Sequence, residues 1–285
     1  VPELPEVETI VRSLRNPIDL PFNKDAALSS RPGIVGRTIK SGDVTWLRSL
    51  AYPSLTEFQA EINGQRINGI SRRGKFIILE LGQKKLLIHL RMSGDILVEN
   101  TLAIRDCKHD RVILWLDGGT RFVFNDPRKF GRVWLVDDED SVTGKLGPEP
   151  FDPELTPEKF FQKIQKTRKQ TKPLLLDQTF LAGMGNIYTD EALFDAGIHP
   201  ETPASRLTEK HAEILLRSIK NVLQIGIEHN GASIDWVYRG GGFQNYFKVY
   251  QRSGKPCFVC GTLIKRAVVG QRGTYFCPNC QPFLK

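Results

Sequence analysis

The sequence contains no apolar run approaching the roughly 20 residues that a bilayer-spanning helix needs, so a membrane-spanning protein is excluded. Its first residues, Val1-Pro2-Glu3-Leu4-Pro5-Glu6, have no basic stretch leading into an apolar one; no secretory signal is expected, and the chain reads as cytoplasmic. Cysteine is scarce, 5 in 285 residues, which argues against a small disulfide-stapled secreted scaffold. With 40% hydrophobic and 25% charged residues, neither a disordered tract nor a collagen-like repeat fits. Acidic side chains are missing altogether from Trp236 to Lys285.

That last absence locates the charge. The chain carries 40 Lys and Arg against 32 Asp and Glu, a net +8. The terminal stretch alone holds Arg239, Lys248, Arg252, Lys255, Lys265, Arg266, Arg272 and Lys285, which equals the whole excess. A field of one sign attracts polyanions, because neutralising phosphates releases condensed counterions. A solubilising tail is the plainer explanation, but a solvated tail needs neither the aromatics nor the cysteines found here.

Four of the five cysteines, Cys257, Cys260, Cys277 and Cys280, form a C-x2-C-x16-C-x2-C pattern. Two chelating pairs separated by a hairpin-length span suit one tetrahedral structural Zn2+. Disulfides are disfavoured in a reducing compartment, and an iron-sulfur cluster is the weaker alternative. Leu263 to Val269, the turn Gly270-Gln271-Arg272-Gly273, and Thr274 to Phe276 read as a β-hairpin with Arg272 projecting from its tip. With the four thiolates and one Zn2+ counted as -2, the region keeps about six positive charges. The fifth cysteine, Cys107, is expected to be a packing residue.

Periodicity organises the rest. Leu4, Val7, Val11 and Leu14 predict a helix starting just after Pro5, with Glu6 and Glu8 as favourable charges at its amino terminus. Asn16 to Pro32 reads as a loop or insertion. Short β-rich runs at Phe76 to Leu81, Lys85 to Leu90, Val112 to Leu116, Arg121 to Phe124 and Arg132 to Val136 predict an antiparallel sandwich. Acids and prolines between 137 and 157 mark a linker, and helical segments follow at Glu158 to Lys166, Pro173 to Phe180, Ile187 to Ala196 and Thr208 to His229. The expected organisation is therefore α+β and multidomain: a helix plus sandwich over 2–136, the linker, a helical domain over 158–247, and the zinc hairpin over 248–285.

Four turns carry chemistry-bearing residues. Ser71-Arg72-Arg73-Gly74-Lys75-Phe76 sets three cations before a strand; His89 to Gly94 ends one; Asn125-Asp126-Pro127-Arg128-Lys129-Phe130-Gly131 links two. Each alone is ordinary: a solvated basic loop, a core methionine, an Asp-Pro turn. Leu181 to Asn186 adds a glycine-bearing turn at a helix amino terminus, a site for phosphate with Asn186 as an extra donor. Together they suggest a cleft for duplex DNA, with Met92 and Phe130 able to wedge into the base stack where a nucleotide is extruded.

On Pro2-Glu3-Leu4-Pro5-Glu6-Val7-Glu8-Thr9, Arg73-Gly74-Lys75, His89 to Gly94, Asn125 to Gly131, Gly183 to Glu191 and the four-cysteine finger, the chain resembles the bacterial formamidopyrimidine-DNA glycosylases over nearly its whole length. Leu4 separates it from the sibling endonuclease VIII group, which usually has glycine there. The resemblance implies a helix-two-turn-helix domain with a zinc finger, damaged double-stranded DNA as partner, and a bacterial, nucleoid-associated enzyme; a monomer is expected because no apolar stripe is left over once the cores are assigned. It implies Pro2 as the nucleophile at C1', Glu3 as the acid assisting sugar-ring opening, Lys75 as proton donor and phosphate ligand, and Arg272 in the later elimination. Met92, Arg128 and Phe130 would fill the void, Arg128 facing the orphaned cytosine; His109, Lys129, Arg168, Lys172 and Asn186 would contact phosphates. Two departures stand out. Val1 precedes Pro2, and an acylated proline nitrogen cannot attack, so Val1 is expected to be a translated non-AUG start that is trimmed. The Asn16–Pro32 stretch is longer than the family implies. Two other readings stay open: an endonuclease VIII-like enzyme for oxidised pyrimidines, and a non-catalytic binder of damaged DNA.

Overall fold

The computed structural model describes residues 2–16, 33–101, 106–233 and 240–284. Val1 and residues 17–32 of the Asn16–Pro32 stretch lie outside the described residues. The chain forms two compact units: Val1–Lys145 with Asn230–Gly241, and Leu146–His229 with Gly242–Lys285. The division falls within the expected linker. That Asn230–Gly241 groups with the first unit has no counterpart in the sequence pattern.

In the first unit, helix α1 (Leu4–Arg15) has Pro5 in its first turn, where the missing N–H costs nothing. Its buried Val7, Ile10, Val11 and Leu14 face the core. Strands β1 (Ile39–Val44) and β2 (Leu50–Tyr52) precede α2 (Leu55–Ile62); then come β3 (Gly69–Arg73), β4 (Phe76–Leu81), β5 (Lys84–His89), β6 (Asp95–Asn100), β7 (Asp110–Leu116), β8 (Thr120–Asn125) and β9 (Arg132–Val136). They form a four-stranded sheet in the order β1-β7-β8-β6 and a five-stranded sheet in the order β2-β9-β5-β4-β3. Pairing is antiparallel except between β2 and β9. One core joins Ile96, Leu114, Phe122 and Phe124 of the first sheet to Ile77, Leu79, Ile88 and Leu135 of the second, and α1 closes onto it. This is the expected sandwich. β3 was not expected as a strand: Gly69-Ile70-Ser71-Arg72-Arg73 lacks apolar alternation and is held by its pairing with β4. β1, β2, β6 and α2 were also not singled out, although Ser54 and Glu57 form the capping box that announces α2.

The first unit closes with a short helical turn, α3 (Asp140–Thr143), and the second unit carries α4 (Pro157–Gln165), α5 (Thr171–Leu176), α6 (Asn186–Asp195) and α7 (Glu209–Glu228). Thr156 and Thr208 cap α4 and α7 by accepting backbone N–H groups at the third helical positions. Helix α5 stops at Leu176, where Pro173 to Phe180 was expected to be helical: Asp177 leaves helical geometry and its Oδ1 accepts the Thr179 N–H instead. The unit ends in the hairpin β10 (Lys265–Val269) and β11 (Arg272–Phe276), joined by Gly270 and Gln271 with φ of 55° and 62°. A two-residue turn with both φ positive matches the twist of the strands. Arg272 is thus the first residue of β11, paired with Val269, rather than the turn tip. Among the described residues no helix is long and apolar enough to cross a membrane.

Candidate nucleic-acid interface

In the first unit the amino-terminal turn is buried: Pro2, Glu3 and Glu6 are all inaccessible. The Glu6 carboxylate accepts the Glu3 N–H at 2.7 Å through Oε2 and the Ala232 N–H at 2.7 Å through Oε1. Glu6 therefore does more than complement the helix dipole, fixing the turn that carries Pro2 and Glu3. Glu8 likewise exceeds its expected role. It pairs with Arg12 and Arg72, each at 2.9 Å, and Arg72 donates to the Gly74 carbonyl at 3.0 Å. Burial alone would raise the Glu8 carboxyl, but the hydrogen bonds and charges of Arg12 and Arg72 hold it below its ordinary value. Arg72, expected in a solvated basic loop, is thus a brace between α1 and the turn carrying half-buried Lys75.

The ring of His89 packs edge-on against Phe76 with 4.7 Å between centroids, and its Nδ1 accepts the Arg91 N–H at 3.0 Å. Burial, with the positive charges of Arg91 and Lys75, pushes His89 down to about 3, so it is neutral at physiological pH. Met92 is exposed at the end of the following turn, contrary to the plainer core reading of that methionine, and Phe130 is half exposed. The Arg128 guanidinium lies 5.3 Å from the Phe130 ring and the Lys129 ammonium 3.9 Å from the Trp46 ring. Half-buried His109 sits 3.3 Å from Arg111 through Nδ1. Cys107 is exposed, 3.7 Å from the Arg121 guanidinium, not the packing residue expected: its neighbours Asp106 and Lys108 are exposed as well.

In the second unit the glycine turn at 183–185 is braced by Gln178, which accepts the Gly183 N–H at 3.0 Å and donates to the Met184 carbonyl at 2.8 Å. Asn186 opens α6 and donates to the Gly273 carbonyl at 3.0 Å, leaving its buried Oδ1 without a hydrogen-bond partner. Arg168 and Arg272 are exposed. Lys172 departs from the expected phosphate contact: it is fully buried, 2.6 Å from Asp190 and 3.0 Å from the Gly273 carbonyl. Asp190 in turn accepts the Tyr275 N–H at 2.9 Å, while neighbouring Glu191 accepts the N–H groups of Lys248, Val249 and Tyr250 at 2.8, 3.0 and 2.7 Å. Neither acid was singled out in the sequence. The available signal was two adjacent carboxylates inside a helix that also carries Ile187, Tyr188, Ala192, Leu193 and Phe194, which implies burial and therefore buried donors.

The four finger cysteines place their sulfur atoms within 4.8 Å of one another. Separations of 3.9 Å for Cys257–Cys280, 3.5 Å for Cys260–Cys277 and 3.4 Å for Cys260–Cys280 are far too long for disulfides. They fit the roughly 3.8 Å edge of a tetrahedron with Zn–S bonds of about 2.3 Å. The Val259 and Cys280 N–H groups point at Cys257 and Cys277 sulfur, each at 3.4 Å, as thiolate ligands require. The donor set holds one structural Zn2+.

A buried, clamped amino-terminal turn, exposed apolar and cationic side chains on two adjoining turns, and a basic zinc hairpin define a zinc-finger protein that grips DNA and works on it. Family models agree: the formamidopyrimidine-DNA glycosylase N-terminal domain matches residues 24–133, the H2TH domain of the same glycosylase 146–237, and the zinc finger found in FPG and IleRS 254–282. The formamidopyrimidine-DNA glycosylase of Chloroflexus aurantiacus is 43% identical over 99% of this chain and 98% of its own, and that of Protochlamydia amoebophila 39% identical over 99% of each. The Lactococcus lactis Fpg in complex with DNA containing an abasic site superposes with a TM-score of 0.86 at 37% identity, covering 98% of this chain and 99% of that one. A structure of MutM with DNA containing carbocyclic 8-oxo-G gives 0.86 at 37% identity, covering 99% of this chain and 100% of that one. The chain belongs to the formamidopyrimidine-DNA glycosylase family.

Proposed function

We infer that this protein excises oxidised purines, formamidopyrimidines and 8-oxoguanine, from duplex DNA and then cleaves the strand by β,δ-elimination. The reading rests on full-length similarity to glycosylases whose solved complexes carry such lesions. The observation that carries it is the amino-terminal turn, where the Glu6 carboxylate fixes the Glu3 N–H and so holds Pro2 and Glu3 side by side in a buried setting.

In this mechanism the Pro2 nitrogen forms a bond to C1' as the glycosidic bond breaks, and the base leaves with a proton. Glu3 protonates O4' as the sugar ring opens, and the nitrogen lone pair completes an iminium. Loss of a C2' proton expels the 3' phosphate; a second elimination expels the 5' phosphate, and water releases Pro2. Lys75 donates a proton and holds a phosphate near the lesion, and Arg272 holds a phosphate during elimination. Met92, Arg128 and Phe130 occupy the space left by the extruded nucleotide, while His109, Lys129, Arg168 and Asn186 grip phosphates. Lys172, being buried, supports Gly273 rather than touching DNA.

The chemistry requires Pro2 to carry a secondary amine. Protein whose amino terminus has been verified by mass spectrometry should be trapped covalently by borohydride on 8-oxoguanine duplex. Failure of verified protein to trap leaves only salt-sensitive binding and sinks the enzyme reading. Preference for thymine glycol over 8-oxoguanine opposite cytosine would instead favour the pyrimidine-directed sibling, which Leu4 argues against.

A further inference from the structure

The turn that carries Met92 links β5 to β6 and the turn that carries Arg128, Lys129 and Phe130 links β8 to β9, each passing from one sheet to the other, yet one residue holds both. Asp126 has no solvent exposure, and its carboxylate has three donors. The Ser93 hydroxyl, next to Met92, donates to Oδ1, as does the Arg128 N–H at 3.1 Å; the Gly131 N–H, next to Phe130, donates to Oδ2 at 2.8 Å. Its main chain is engaged as well. The Asp126 N–H donates to the His109 carbonyl at 2.8 Å, and Arg111 Nε donates to the Asp126 carbonyl at 2.7 Å.

Close packing repeats the connection. A Cβ on Gly94 would come within 2.7 Å of the Phe124 ring, and one on Gly131 within 2.1 Å of the same ring. The two turns therefore converge on Phe124 at distances that leave room only for glycine. Beyond this frame Met92 and Phe130 present exposed apolar surface to solvent.

We propose that Asp126, through Ser93, is the positioning residue that locks the Met92 turn and the Arg128–Phe130 turn into one fixed relation, so that the three side chains enter a duplex as a unit. Burying a carboxylate is costly unless its acceptors are filled, and here the donors come from both turns; neither turn can shift without leaving the charge undersolvated. The inference rests on the void-filling roles proposed above for Met92, Arg128 and Phe130.

The test uses zinc-loaded, full-length protein with a verified Pro2 terminus and two variants. Ser93→Ala removes the bond between turns and leaves the Asp126–Arg128 turn intact. Asp126→Asn keeps the shape but offers one acceptor oxygen and an NH2 where three donors converge. Active molecules are counted by the borohydride-trapping endpoint on a single-stranded abasic oligonucleotide, which has no opposite strand and no void to fill. Per active molecule, both variants should cleave that substrate at the wild-type rate, but excise 8-oxoguanine from duplex about ten to a hundred times more slowly, the scale expected when reacting groups are misplaced by about 1 Å. Their preference for cytosine over thymine opposite the lesion should fall toward that of Arg128→Ala. Equal losses on both substrates, or unchanged duplex excision, would overturn the inference. A wild-type protein that fails to trap at all overturns instead the glycosylase reading on which it rests.

Discussion

The Lys172 ammonium lies 2.6 Å from the Asp190 carboxylate, and neither side chain has any exposure. The pair faces the outer edge of β11, where Lys172 and Asn186 donate to Gly273 and Asp190 accepts from Tyr275. Side chains thus supply the hydrogen bonds that a neighbouring strand would, on the edge of the hairpin that begins with Arg272. Burial pushes the Asp190 carboxyl up to about 7, against the pull of Lys172.

Removing one member of this pair should be severe. Lys172→Met leaves a buried carboxylate without its cation and is expected to cost about 3–5 kcal/mol in urea unfolding at pH 8. The double variant Lys172→Met with Asp190→Leu should recover most of that stability. It should nonetheless speed hydrogen exchange of the Tyr275 N–H, because that donor loses its acceptor. A double variant as unstable as the single one would show that the pair contributes net attraction.

Acid stability should carry two separable signatures. His89 is held near 3, below its ordinary 6.5, so the unfolded chain takes up a proton that the folded one refuses, and stability falls as pH drops from about 6.5 toward 3. Glu8 is depressed below 4.5; its contribution is present above that value and is lost as pH falls through its folded value. His89→Gln should flatten the first part of a stability-versus-pH curve and Glu8→Gln only the most acid part. Because His89 is neutral across pH 5–8, any activity limb in that range should survive His89→Gln.

Much of this was legible from residue types and spacing. The C-x2-C pairs, the β-rich runs and the helix of Leu4, Val7, Val11 and Leu14 follow from local chemistry and period, and so they appear where expected. What was not legible depends on partners distant in sequence. Nothing local distinguishes Lys172, buried on Asp190, from Arg168, exposed four residues earlier, or Glu6, clamping Ala232, from a simple dipole charge. Arg72 reads as one of three cations in a loop until Glu8 and Gly74 are seen to fix it.

Removing zinc should unfold the hairpin locally. The apolar cluster around it is small, made of Phe194, Val249, Cys257, Ile264 and Cys277, with two of the five being metal ligands. Without the metal, four thiols offer too little to hold β10 and β11 in place. Chelation should therefore abolish amide protection in β10 and β11 while leaving β4 and β5 of the sandwich protected. Loss of protection in both would mean that the finger supports more than itself.

The salt dependence of DNA binding separates cations that meet phosphates from those that merely add to the net charge. Each neutralised phosphate contributes about 0.9 to the slope of log K against log salt. Arg168, Lys129 and Arg272 are exposed and able to release counterions, so replacing any one by Ala should lower the slope by roughly one and weaken binding evenly across sequences. Lys172 removes the same formal charge when replaced by Met, but its ammonium is sealed against Asp190. In the double variant with Asp190→Leu, which keeps the local charge balanced, the slope should stay at the wild-type value while affinity falls through loss of the support under Gly273. A slope reduced by one in that variant would place Lys172 on a phosphate after all, and would mean that the buried pair opens when DNA binds.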